Sequence, residues 1–408
     1  MSKFTFNFSK LIFKIIKLYS PFTKTQYSNR INSLSIIFLV FVFQFLNAQK
    51  LSKVISIKGS YTFDLANNFS GGIEKGSAFI GNIDLAFNID SESLDLWKGG
   101  HFFVYLLNNH GNSLSNLIGD FQIANNIEAE SHTRLYEVWY KQHFKTWSLL
   151  IGQHDLNSVF AIPETGQNFI NSSFGIQPDL SSNFPASIFP LATLGIVVNW
   201  SLNDQILISH AIYDGDPGSE SDNPNSLNWR FNKEEGALLI NEIQFQIKKE
   251  NILKSVYKFG IWNHLQKQIL DEVLFSSRNG VYFISDHKLI QNTSNGIFIS
   301  AFSQIGLSLS FQNPVASFVG GGFWFKGFSS KRAEDGFGIA VANANFSKYY
   351  RSQFEGILKR ETVIELTYQW IANRKLIFQP NIQYILNPSS TSGLSNALMG
   401  LIRFNYAW

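Results

Sequence analysis

The last eleven residues constrain the fold more than any other stretch. From Leu398 the alternate positions read Leu398, Gly400, Ile402, Phe404, Tyr406 and Trp408. Between them stand Met399, Leu401, Arg403, Asn405 and Ala407. Successive side chains of a strand point to opposite faces. One face is therefore apolar and turns aromatic at its end, while the other carries an arginine and an asparagine. A strand with lipid on one side and water on the other has this pattern, and Trp408 would sit in the aromatic girdle at the interface. The expected fold is all-β, a transmembrane antiparallel β-barrel.

The opposite end agrees. Residues 34–46 form an apolar run after a basic stretch that includes Lys24 and Arg30, and Asn47-Ala48-Gln49 follows. This is the layout of a secretory signal. A membrane-spanning helix needs about 20 apolar residues, and this run is shorter. Residues 1–48 are expected to be a cleaved signal with a long N-region, and 49–408 a single barrel domain.

Removing that signal changes the charge. It holds Lys3, Lys10, Lys14, Lys17, Lys24 and Arg30 and no acidic residue, so 33 − 6 = 27 basic residues remain against 30 acidic ones, a net of −3. The basic balance of the full chain is then no sign of a nucleic-acid partner. There is no cysteine, which excludes disulfides, thiolate metal sites and a cysteine nucleophile. Charged residues make up 15% of the chain, against about 25% in soluble domains. Yet no segment after the signal is long and apolar enough for a membrane helix. A barrel hides its hydrophobicity in alternation.

Strand candidates bounded by polar turns lie near 54–65, 77–89, 100–109, 134–144, 146–154, 193–200, 204–213, 236–248, 253–262, 280–288, 296–309, 316–326, 336–346, 361–371, 375–386 and 397–408. That is about sixteen, an even number as single-chain bacterial barrels require. Long connections (110–133, 155–192, 214–235) alternate with short ones (at 145, 201–203, 249–252 and 373). Long external loops and short periplasmic turns predict that rhythm, with both termini periplasmic.

Alternation also assigns faces. On 361–371, Glu361, Glu365, Thr367 and Gln369 share one face, and Ile364, Leu366, Tyr368 and Trp370 the other. On 375–386, Gln379, Asn381 and Gln383 oppose Phe378, Ile382 and Tyr384; on 236–248, Glu242, Gln244 and Gln246 oppose Ile243, Phe245 and Ile247. The predicted lumen is rich in amides and carboxylates. Trp370, Tyr384, Tyr406 and Trp408 are the expected girdle residues.

Several ordered segments resemble the carbohydrate-selective, OprB-like porins of Gram-negative outer membranes. Glu361-Thr362-Val363-Ile364-Glu365-Leu366-Thr367-Tyr368, followed by Phe378-Gln379-Pro380-Asn381-Ile382-Gln383-Tyr384-Ile385-Leu386-Asn387-Pro388, is similar to the family's closing hairpin. Arg134-Leu135-Tyr136-Glu137-Val138-Trp139-Tyr140 precedes Ile151-Gly152-Gln153-His154-Asp155-Leu156-Asn157 and Phe160. Tyr213-Asp214-Gly215-Asp216-Pro217, Tyr257-Lys258-Phe259-Gly260-Ile261-Trp262-Asn263-His264, Gly280-Val281-Tyr282-Phe283-Ile284-Ser285-Asp286 and Glu334-Asp335-Gly336-Phe337-Gly338-Ile339-Ala340 follow in the family's order. The matches cover nearly all of 49–408. Asn381 stands where Asp is usual, and Ser389-Ser390 replace common glycines.

The resemblance implies a passive diffusion channel for mono- or oligosaccharides. It also implies outer-membrane lipid, periplasmic chaperones and the barrel assembly machinery as partners, and no cofactor. Sugar hydroxyls suit amide and carboxylate walls, and sugar C–H faces suit aromatic rings. Candidate pore-lining residues are Glu137, Trp139, Lys141, Glu242, Gln244, Glu361, Glu365, Gln379, Gln383 and Arg403. Trp139, between Glu137 and Lys141, is either a sugar platform or packing beneath the loop 155–192. That loop, rich in Pro and Phe, is either a constriction or a cap over the rim. The acidic run 214–222 lacks calcium-loop spacing and is expected to be a solvated loop. No hydrolase or phosphate-binding motif is present. A channel for another solute and a barrel-type enzyme such as a lipase remain as alternatives. Oligomeric state is open, because a closed barrel needs no partner for its edges.

Overall fold

The computed structural model describes residues 55–408, apart from 250–251, 271–272, 276 and 293–295. The expected signal, 1–48, lies outside the described residues. The strands are β1 (Ile55–Gly72), β2 (Gly76–Asp90), β3 (Gly100–Gly111), β4 (Thr133–His143), β5 (Trp147–His154) and β6 (Thr193–Ser201). Next come β7 (Ile206–Asp214), β8 (Ala237–Lys249), β9 (Ile252–His264), β10 (Gln268–Leu270), β11 (Val273–Phe275) and β12 (Arg278–Asn292). The series ends with β13 (Ile297–Ser308), β14 (Val315–Lys326), β15 (Gly336–Phe346), β16 (Arg360–Asn373), β17 (Leu376–Leu386) and β18 (Ser395–Ala407).

Strands β10 and β11 pair only with each other, in the β9–β12 connection. The other strands form one closed antiparallel barrel of the expected sixteen, each hydrogen-bonded to its sequence neighbour. β18 closes the ring against β1 with Thr62 opposite Asn405 and Asp64 opposite Arg403. Closure leaves no unpaired edge, which a backbone facing lipid requires.

β1 runs seven residues past the expected end at 65. The polar pair Asn67-Asn68 looks like a turn in sequence, but Asn68 is buried and its amide donates to the carbonyls of Gly71 and Glu74. The connections alternate between two ends of the barrel. One end carries 112–132, 155–192 and 215–236; the other carries 144–146, 202–205 and 374–375. The rhythm is imperfect. Residues 73–75 make a tight turn at the long-loop end, and 91–99 and 327–335 are longer excursions at the short-turn end.

The faces alternate as the period predicts. In β16, Glu361, Val363, Glu365 and Thr367 are buried while Ile364, Leu366, Tyr368 and Trp370 are exposed. The outer surface is an apolar band, including Ile151, Ile196, Ile212, Ile261, Leu366, Ile382 and Ile402. Aromatic residues border it: Trp370 and Tyr406 near the short-turn end, Tyr384 near the long-loop end.

Candidate functional site: the barrel lumen

Two connections from the long-loop end fold into the barrel. The larger, 155–192, starts at β5 and returns at β6. Its apolar side chains, among them Leu156, Phe160, Phe169, Ile170, Phe174, Leu180 and Phe184, are almost fully buried. Its turns are set locally. Asp155 and Asn171 accept from the backbone N–H of Asn157 and Ser173, two residues on, and such Asx contacts reverse a chain without a strand partner.

Carboxylates on the inner wall hold this loop by its backbone. Glu137 of β4 accepts from Asp155 N–H at 2.9 Å. Glu242 of β8 accepts from Ala161 N–H at 2.9 Å and from the Tyr282 hydroxyl at 2.8 Å. Asp286 of β12 takes the N–H groups of Glu164 and Thr165 at 3.0 and 2.8 Å. Glu365 of β16 takes those of Ile170 and Asn171 at 2.7 and 2.9 Å, plus the Asn381 amide at 2.6 Å. Basic groups hold carbonyls: Lys258 donates to Ile162 O at 2.8 Å and Arg278 to Asn183 O at 2.6 Å. Loop N–H and C=O groups far from any strand must find partners where they are buried, and the wall supplies them.

The smaller loop, 112–132, is held likewise. Glu361 accepts from the N–H groups of Phe121 and Gln122 at 2.8 and 2.9 Å, and from Ser389 N–H at 2.6 Å. Arg403 grips Asp64 through Nε and Nη2 at 2.9 and 2.8 Å, and Asn125 donates to the same carboxylate at 2.7 Å. Gln383 donates to Ala124 O and Gln379 to Asn168 O, at 2.8 and 2.9 Å.

Glu242, Glu361, Glu365, Gln379, Gln383 and Arg403 therefore point inward, but their polar atoms are engaged by loops. Sequence reasoning expects them to line the pore, and they do face inward. It missed Asp64, Asp286, Lys258 and Arg278, which do the same work. Small residues on the facing strands carried a signal: Gly336, Gly338, Ala340, Ala342 and Ala344 alternate along the inner face of β15. They leave room for the loop. A Cβ on Gly338 would stand 2.7 Å from the Phe169 ring.

One loop carboxylate has no such partner. Asp179, in the short helix Pro178–Ser181, is fully buried against Gly306, where a Cβ would collide with its oxygens. Among the described residues neither oxygen meets a hydrogen-bond donor in good geometry. Burial pushes its carboxyl up to about 7, and the neighbouring Gln177 offsets only part of that. Asp155 and Asp120 are pushed up to about 6 by the same cause.

The wall of β2–β4 is different. Phe103 and Trp139, opposite each other in register, stack at 4.7 Å between ring centroids with a 28° interplanar angle. The Trp139 indole N–H donates to Glu137 at 3.3 Å, and Tyr105 and Ser60 donate to Asp84, each at 2.8 Å. Trp139 and Lys141 are only partly buried. Gln244, on the face shared with Glu242, is also partly exposed.

The girdle candidates are on the outer face. Trp370 stacks on Phe378 at 4.9 Å and lies under the Arg332 guanidinium at 5.3 Å. Tyr406 stacks on Trp408 at 6.1 Å. The Tyr384 hydroxyl accepts from Asn396 at 3.2 Å.

Comparison with known proteins agrees with this architecture. The family described as "Carbohydrate-selective porin, OprB family" matches residues 74–406. Putative porin QuiX of Acinetobacter baylyi is 23% identical over 392 residues, covering 84% of this chain and 87% of that protein. Porin B of Pseudomonas aeruginosa is 22% identical over 404 residues, covering 86% and 87%. The high-pH structure of Pseudomonas putida OprB superposes with a TM-score of 0.80 at 18% identity, covering 90% of this chain and 97% of that one. A sixteen-stranded barrel, loops tied into its lumen and a family match over most of its length lead to one assignment: the chain belongs to the carbohydrate-selective porin, OprB family.

Proposed function

We propose that this porin passes mono- and oligosaccharides by passive diffusion through an outer membrane, along the wall formed by β2–β4. The observation that carries the route is the Phe103–Trp139 stack, partly exposed on the inner wall, although Trp139 also packs against the apolar cluster that loop 155–192 forms with the wall. Sugar C–H faces stack on such rings, and the partly exposed Asp84 is an acceptor that suits hydroxyls. The contacts are few, as a channel that must release its solute requires. The apolar outer band with aromatic borders supports a lipid-embedded position, with 155–192 entering from the external side.

A hydrolytic enzyme on the barrel finds less support. Ser158 Oγ stands 2.9 Å from His154 Nε2, but His154 Nδ1 meets the Tyr213 hydroxyl at 2.7 Å where a hydrolase places a carboxylate. This pair also sits inside the barrel, away from lipid.

Proteoliposome swelling tests the proposal. Mono- and disaccharides should enter faster than amino acids and an inert polyol of matched size. Equal rates for all three classes would support a general channel instead.

A further inference from the structure

Several cations of the inner wall are committed. Arg403 is paired with Asp64, Arg134 with Glu220, Lys258 with a loop carbonyl and Arg278 with another. Lys141 is not, and unlike Lys58, Lys288 and Lys326, which also lack partners on the inward face among the described residues, it stands beside the aromatic pair. It lies on the inner face of β4, two residues beyond Trp139, and is partly buried. Among the described residues no hydrogen bond or ion pair reaches it, and no carboxylate acts on it electrostatically. The nearby acids are engaged elsewhere. Glu137 serves Trp139 and Asp155, Asp84 serves Ser60, Asn82 and Tyr105, and Asp90 serves His101 and the turn that follows it.

The surroundings of Lys141 are basic. His101 stands directly across from it on β3, and His143 follows two residues later. The two imidazoles meet edge to face at 5.8 Å. Lys141 is close enough to act electrostatically on both His143 and His154. An ammonium held partly out of water with no counter-charge is costly, and an anion offsets that cost. Beside it stands the aromatic pair proposed above as the sugar platform.

We propose that Lys141, flanked by His101 and His143, is the anion half of a subsite for hydroxylated carboxylates, that is, sugar acids. The C–H face of the solute rests on Trp139 and its carboxylate reaches Lys141. This rests on the sugar-channel reading and narrows it: the wall selects sugars bearing a negative charge over neutral sugars of equal size.

The test is efflux of labelled gluconate and labelled glucitol from proteoliposomes containing the full barrel, read as a ratio. Both are six-carbon polyols, and one carries a carboxylate. The wild type should release gluconate faster than glucitol at low salt. Lys141→Gln should lower the ratio on the order of ten-fold, the scale on which a charged cleft concentrates counter-ions. Lys141→Arg should restore it, and raising ionic strength should shrink the wild-type preference. A ratio unchanged in Lys141→Gln, with glucitol still released, would overturn the subsite alone. Retention of both solutes by the wild type would overturn the sugar-channel reading and the subsite with it.

Discussion

The inner wall has two regions built from similar residues and put to opposite uses. From β8 round to β1, Glu242, Asp286, Glu361, Glu365 and Asp64 are buried, and each is saturated by loop N–H groups or side-chain donors. From β2 to β4 only Glu137 is taken by a loop N–H, that of Asp155; Asp84 is bonded to wall side chains, and Trp139 and Lys141 stay partly exposed. A carboxylate on the lumen face is therefore not by itself a selectivity residue. Its role depends on whether a loop has taken its lone pairs. An acceptor that satisfies two buried backbone N–H groups contributes to shape, because leaving them unpaired costs about 1–3 kcal/mol each. One that faces water contributes to solute contact.

Breaking the anchored region should produce the largest effect. Glu365→Ala orphans Ile170 N–H, Asn171 N–H and the Asn381 amide together. The loop should detach at a cost of about 3 kcal/mol, reduced by water that reaches the lumen. Single-channel conductance should rise and become noisy. Glu365→Gln, which keeps one acceptor oxygen, should fall between the wild type and Glu365→Ala. Quiet, unchanged conductance in Glu365→Ala would erase the distinction between the two regions.

A smaller effect is expected from pH. The Asp179 carboxyl ionises near 3.8 when unfolded and near 7 when packed. Its packed form is favoured only while protonated. That advantage is complete below about 4 and is lost as pH rises through 7. Loop 155–192 should be tightest in mild acid, and protease access to it should increase from pH 6 to about pH 8. Asp179→Asn should flatten that dependence.

The smallest effect belongs to the open region. Trp139→Ala should weaken sugar block of ion current by about 1 kcal/mol, the worth of one stacking contact. It should leave conductance without sugar near the wild-type value. A loss of sugar block in Glu365→Gln but not in Trp139→Ala would place recognition on the anchored side.

The sequence made the barrel legible because its period is two and its apolar face is continuous. All sixteen wall strands are visible as alternating runs, and β18 shows its faces residue by residue. The loops were not legible in the same way. Nothing local in 155–192 says that Ala161, Thr165 and Ile170 meet Glu242, Asp286 and Glu365, because those contacts span 81 to 195 residues of chain. The inward direction of Glu361 or Glu365 follows from alternation, but the donor that reaches each of them comes from tertiary packing. Only the small residues Gly338, Ala340 and Ala342 hinted that something fills the space in front of β15. The expected end of β1 falls too early for a related reason: a buried asparagine such as Asn68, which bonds to the carbonyls that follow it, cannot be told in sequence from a turn residue.

The central claim is that 155–192 lies inside the barrel on the wall of β16 and β17. The chain has no cysteine, so an engineered pair reports without background. Asn171 and Gln383 are in side-chain contact at 3.2 Å. In the doubly substituted protein, Asn171→Cys with Gln383→Cys, a short bis-thiol-reactive cross-linker with a reducible spacer should bridge the two sites in the folded barrel, since side-chain tips in contact leave the Cβ atoms too far apart for a direct disulfide. Proteolysis at the long-loop end should then leave the two fragments joined until reductant is added. Two thiols left unbridged by the cross-linker, both accessible to a bulky water-soluble maleimide, would place the loop outside the lumen and contradict the account.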